Sequence, residues 1–93
     1  MITSVRTVEQ YLNELQGKGF YFQEDSIGFI YFGKHYTNAS DELINAAIEL
    51  TLKAQKRFDG SFYMSLLETF ISNKIESRKD AIAFVTEKHL LAM

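Results

Sequence analysis

Between Ser40 and Asp59 the chain reads as one helix with almost no wet side. Leu43, Ile44, Ala46, Ala47, Ile48, Leu50, Leu52 and Ala54 are apolar, and the polar residues Glu42, Asn45, Glu49, Lys53 and Lys56 fall on a single stripe at spacings of three and four. A helix apolar around most of its girth must be covered on more than one side. This segment, Asp41 to Arg57, is therefore expected at the centre of the fold. The chain has 93 residues, enough for one such centre and too few for a second core, so residues 1–93 are read as a single domain. Ser40 or Asn38 can cap the helix, and Asp41 and Glu42 suit the positive end of its dipole. Glu49 and Lys53 stand in the favourable i, i+4 order.

The material around this centre reads as short elements. A first helix is expected from Val8 to Gln16. Thr7 with Gln10 makes a capping box, Val8, Tyr11, Leu12 and Leu15 share one face, and Gly17 sits where a left-handed C-terminal cap is expected. Phe20 to Asp25 and Phe29 to Phe32 are rich in aromatic and β-branched residues. Asp25-Ser26-Ile27-Gly28 between them has the residues of a type I turn closed by a left-handed glycine. A β-hairpin is the expectation, with Phe20, Phe22, Ile30 and Phe32 on its core face. Tyr21, Gln23, Asp25, Phe29 and Tyr31 fall on the other face. Gly33-Lys34 reads as a second turn into a short strand His35-Tyr36-Thr37, which brings Tyr36 opposite Tyr31.

After the central helix, Asp59-Gly60-Ser61 breaks the chain. A helix from Phe62 to Ile75 follows, with Phe62, Tyr63, Leu66, Leu67, Phe70 and Ile71 as its apolar stripe. A last helix begins after Ser77, which with Asp80 repeats the capping pattern, and runs towards Leu90. The apolar end Leu90-Leu91-Ala92-Met93 docks or frays. The predicted class is α+β, a small antiparallel hairpin or three-stranded sheet on a helical layer in the order α-β-β-(β)-α-α-α.

The chemistry the sequence lacks narrows its function. With no Cys there is no disulfide, thiolate nucleophile or Cys-ligated zinc. His35 and His89 are the only histidines, and neither has local partners that would make a metal site or a general base. The acidic residues Glu24, Asp25, Asp41, Glu42 and Asp59 each have a place in a turn or cap. There is no nucleophile elbow, phosphate loop or dinucleotide fingerprint, and Asn38-Ala39-Ser40 reads as a helix start. No catalytic residue, metal or cofactor is assigned, and the chain is not expected to be an enzyme. No apolar run reaches membrane-spanning length and the first residues lack a secretory segment, so a cytoplasmic protein without a membrane partner is expected.

Two features remain. One is the aromatic second face, with Tyr21, Phe29, Tyr31 and Tyr36 as candidate protein-binding anchors, since aromatic side chains give large contact area at small entropic cost. The other is the set Lys53, Lys56, Arg57, Lys74, Arg78 and Lys79, candidate phosphate contacts near the ends of the later helices. Up to residue 57 the expected order α-β-β-β-α resembles that of double-stranded-RNA-binding domains. Where those place lysines to reach phosphates, this chain has Ser40-Asp41-Glu42, so no residue is carried over. With a net charge of −2 the first expectation is a non-catalytic protein-binding module. It would be a small cytoplasmic inhibitor, immunity or regulatory factor, of the kind phages and mobile elements carry, acting by covering a partner's surface. A homodimer fits its size. A nucleic-acid-binding module using the six basic residues is the alternative.

Overall fold

The computed structural model describes residues 6–88. Among the described residues the fold has five helices: α1 Val8–Gly17, α2 Glu24–Thr37, α3 Asp41–Gln55, α4 Gly60–Ser72 and α5 Arg78–Glu87. There is no strand among the described residues. The α+β expectation is overturned, because from Glu24 on the segment read as a hairpin and third strand is the single helix α2.

The periodicity of burial shows why. Ile30 and Gly33 are buried, and Ile27, Tyr31, Lys34 and Thr37 are half-buried, a spacing of three and four that belongs to a helix and not to a pleated strand. Of the four residues expected on the hairpin's core face, Phe22 and Ile30 are buried, while Phe20 and Phe32 are exposed. Both expected turns lie inside the helix. Glu24 and Asp25 occupy its first turn and Lys34 and His35 its last, the polarity that complements the helix dipole. Asn38, in the left-handed region at φ 59°, ends it.

The other helices form close to where their sequence signals stand. At α1 the Thr7 hydroxyl accepts from the Gln10 N–H (3.1 Å), and the Gln10 side chain accepts from the Thr7 N–H (2.9 Å). The left-handed glycine that stops this helix is Gly19 (φ 99°) and not Gly17. The Phe20 N–H then reaches the Leu15 carbonyl and the Gly19 N–H the Gln16 carbonyl, a Schellman ending. Ser40, Asp59 and Ser77 cap α3, α4 and α5 through their side-chain oxygens.

As expected, α3 is the centre. It packs against each of the other four helices, and α2 and α4 also pack on each other. Leu43, Ile44, Ala46, Ala47, Ile48, Leu50 and Leu52 are buried all around it. The first three residues of its polar stripe, Glu42, Asn45 and Glu49, are not a solvated face. Asn45 is buried and donates to the Arg6 carbonyl (2.9 Å). Glu42 accepts from the Arg78 N–H at the start of α5 (2.8 Å), and both Glu49 carboxylate oxygens hold the Arg78 guanidinium at 2.9 and 2.8 Å. One side of α3 thus fastens α1 and α5 by polar contacts.

The α2–α4 contact rests on two glycines. A Cβ at Gly33 would stand 2.9 Å from the Tyr63 ring and 3.2 Å from Leu67. At Gly60 it would stand 2.6 Å from the Phe29 ring. Through the first gap the buried Tyr63 hydroxyl donates to the Ile30 carbonyl of α2 (2.9 Å). No described helix is long and apolar enough to cross a membrane.

Candidate interaction surface

The outer face of α2 carries three aromatic rings in line. Phe29, Phe32 and Tyr36 follow i, i+3, i+7 spacing, which sets them above one another on a helix. The Phe29 and Phe32 rings are stacked with centroids 6.3 Å apart, and Phe32 and Tyr36 with centroids 5.6 Å apart. Their exposures are 37%, 54% and 67%, so the ladder becomes wetter towards the C-terminal end of α2. It covers two turns, about 10 Å of helix axis.

Shallow grooves flank the ladder where α2 meets α4. At the Phe29 end the lining includes Asp25, Phe58, Asp59 and Ser61. At the Tyr36 end it includes Thr37, Glu68, Ile71 and Ser72. Among these described lining residues are three carboxylates and neither Lys nor Arg. The cation nearest in sequence, Lys34, is paired with Asp41 on the side of α2 that faces α3.

The four predicted anchors do not share one face. Phe29 and Tyr36 stand on the ladder. Tyr21 lies before α2 and is 86% exposed. Tyr31 is half-buried and packs against the core. Phe32, assigned to the core by the hairpin register, is the middle rung. Asp25, expected on the same face as Phe29, does line the groove at that end, whereas Glu68 and Ile71 carry no sequence signal for this face, because only the α2–α4 packing brings them to it. The periodicity 29, 32, 36 was the available signal, hidden by the strand reading of the same aromatics.

The six basic candidates fall into two sets. Arg78 and Lys53 both pair with Glu49, Lys53 at 3.5 Å. Lys56, Arg57, Lys74 and Lys79 are exposed. Lys56 (φ 66°) and Lys74 (φ 60°) are in the left-handed region just past the ends of α3 and α4, positions that glycine usually takes.

The perturbed groups lie in the polar joints rather than on the ladder. The Arg78 guanidinium holds the Glu49 carboxyl below its ordinary value, and the hydrogen bond from Lys34, with one from the Val8 N–H, does the same for Asp41. Burial pushes the Tyr63 hydroxyl far up, and that of Tyr11 up as well, with Glu49 adding to the latter. Tyr11 also carries the Arg6 guanidinium over its ring at 4.7 Å. His35 is exposed on α2, and His89 and the tail Leu90 to Met93 lie outside the described residues. No three His, Asp or Glu residues converge as metal ligands among the described residues.

Across residues 3–91 the sequence matches the profile of a family of unknown function, DUF6123. The chain belongs to that family. No curated protein and no solved structure matches this DUF6123 chain.

Proposed function

We propose that the chain is a non-catalytic protein-binding module, a small cytoplasmic inhibitor, immunity or regulatory factor that covers a partner's surface with the outer face of α2. The observation that supports this reading is the exposed stack of Phe29, Phe32 and Tyr36. Contiguous exposed apolar surface is rare on small monomers and marks contact sites. Aromatic side chains are also the residue types that dominate contact energies. Rings already stacked on a helix have little rotamer freedom left to lose on binding.

The test uses the tagged chain and a Phe32→Gln/Tyr36→Gln variant as baits in native lysate, with half of each sample treated with nuclease. Both rungs are exposed, so the variant should keep its helical circular dichroism and lose about 1 kcal/mol of stability. A protein that survives nuclease on the wild-type bait and is missing from the variant bait supports the reading. Partners lost on nuclease treatment but indifferent to the variant overturn it, in favour of nucleic-acid contact through Lys56, Arg57, Lys74 and Lys79.

A further inference from the structure

We infer that the occupant of the α2 ladder is a basic helical segment of a partner protein, its Arg or Lys side chains reaching the carboxylates of Asp25, Asp59 and Glu68 while its apolar side chains meet the rings. This rests on the protein-binding reading above and names the chemistry of the partner.

Three observations converge on it. The first is charge. Both grooves beside the ladder are lined by carboxylates and, among the described residues, by neither Lys nor Arg. Aromatic faces attract guanidinium and ammonium groups, and carboxylates at both ends hold such groups in place. A phosphate backbone or an anionic lipid surface meets the opposite field. A second copy would bring the same carboxylates against these.

The second is Gly28. It stands inside α2, one position before Phe29, and a Cβ there would meet nothing within 4 Å. Gly33 and Gly60 are explained by Tyr63 and Phe29, which occupy the space a side chain would take. Gly28 has no such neighbour, yet a mid-helix glycine is unfavourable relative to alanine. An open glycine beside a row of rings suits the close approach of another backbone.

The third is shape. Rungs at 29, 32 and 36 form a straight ridge beside the α2–α4 groove, and helices pack by seating ridges in grooves. Ile71, exposed in the groove at the Tyr36 end, extends the apolar strip onto α4.

The experiment titrates the full chain against two fluorescent amphipathic helical peptides, one of Leu and Arg and one with Glu in place of every Arg. Anisotropy is read at low and high salt. The Arg peptide should bind and weaken with salt, and the Glu peptide should bind at least about tenfold more weakly. Asp25→Asn/Glu68→Gln should weaken the Arg peptide about tenfold. Phe32→Gln should weaken it further, and Gly28→Leu should block it without unfolding the chain. Equal binding of both peptides, lost in Phe32→Gln, would overturn the basic partner while leaving the protein-binding surface standing. Arg-peptide binding indifferent to Phe32→Gln would be plain charge attraction and overturns the inference. A doubled light-scattering mass that Phe32→Gln halves would assign the ladder to a second copy and overturn it too. If neither peptide binds and the lysate partner is also indifferent to Phe32 and Tyr36, the protein-binding reading falls with the inference.

Discussion

Three glycines do two different things here. Gly33 gives Tyr63 its place, and a methyl group there would sit 2.9 Å from a ring that is fully buried and hydrogen-bonded through its hydroxyl. The ring cannot swing away without breaking that bond. Gly33→Ala should therefore destabilise the fold by about 1–3 kcal/mol, although alanine is the better helix former. Gly28→Ala should do the reverse and add about 0.5–1 kcal/mol, since its Cβ meets open space. Urea midpoints of the two variants check the pair, and two shifts of the same sign would contradict the packing described. Gly60, with the Phe29 ring 2.6 Å from a built Cβ, belongs with Gly33.

Among the elements, α5 is held by charge to a degree that its few buried residues, Ala81 and Val85, make important. The Glu42 and Glu49 carboxylates receive the Arg78 backbone and guanidinium. Glu49 has its folded pKa depressed by Arg78. A depressed carboxyl contributes stability above its unfolded pKa and loses it as the pH falls through the folded one. Glu49→Gln should then cost about 1 kcal/mol at neutral pH, with Arg78 half-exposed and the pair partly screened. The gap to the wild-type chain should close below about pH 4. Melting temperatures across that range test the sign: a gap that widens in acid would refute the joint. Asp41, depressed by Lys34, adds to the acid sensitivity of the wild-type chain in the same window.

The same elements show what could be read from the chain beforehand. The caps at Thr7, Ser40 and Ser77 and the apolar girth of α3 were legible, because each is written within a few consecutive residues. Helix α2 was not. Its aromatic and β-branched residues, with Gly28 and Gly33, favour a hairpin locally, and only packing against α3 and α4 outweighs that preference. Reading Gly33 as a turn missed Tyr63, which lies thirty positions further on. The ladder was half legible for the same reason: Phe29 and Tyr36 were picked out, while Phe32 was placed in the core by a register that does not exist. The ties of Asp41 to Val8 and Lys34, and of Glu49 to Arg78, cross between helices and leave no local mark.

At the scale of the molecule, every helix leans on α3. Ile48, fully buried at its middle, is the side chain whose loss the whole should feel. Ile48→Ala should cost about 2–5 kcal/mol, a large share of the stability of a domain this size. Far-ultraviolet and tyrosine signals should fall together in one shifted transition, since no helix has a second core to retain. Two separated transitions would show that some helices hold together without α3.

The position of that helix in chain order has a consequence for synthesis. Among the described residues two helices precede α3 and two follow it, so α1 and α2 leave the ribosome before the surface they bury against exists. Until α3 emerges, the rings of α2 and the apolar face of α1 have only each other and water. Once it has emerged, α3 still lacks α4 and α5. The five helices gain a stable resting point only once α4 and α5 have followed α3, and a break between any two of them leaves α3 with a bare side.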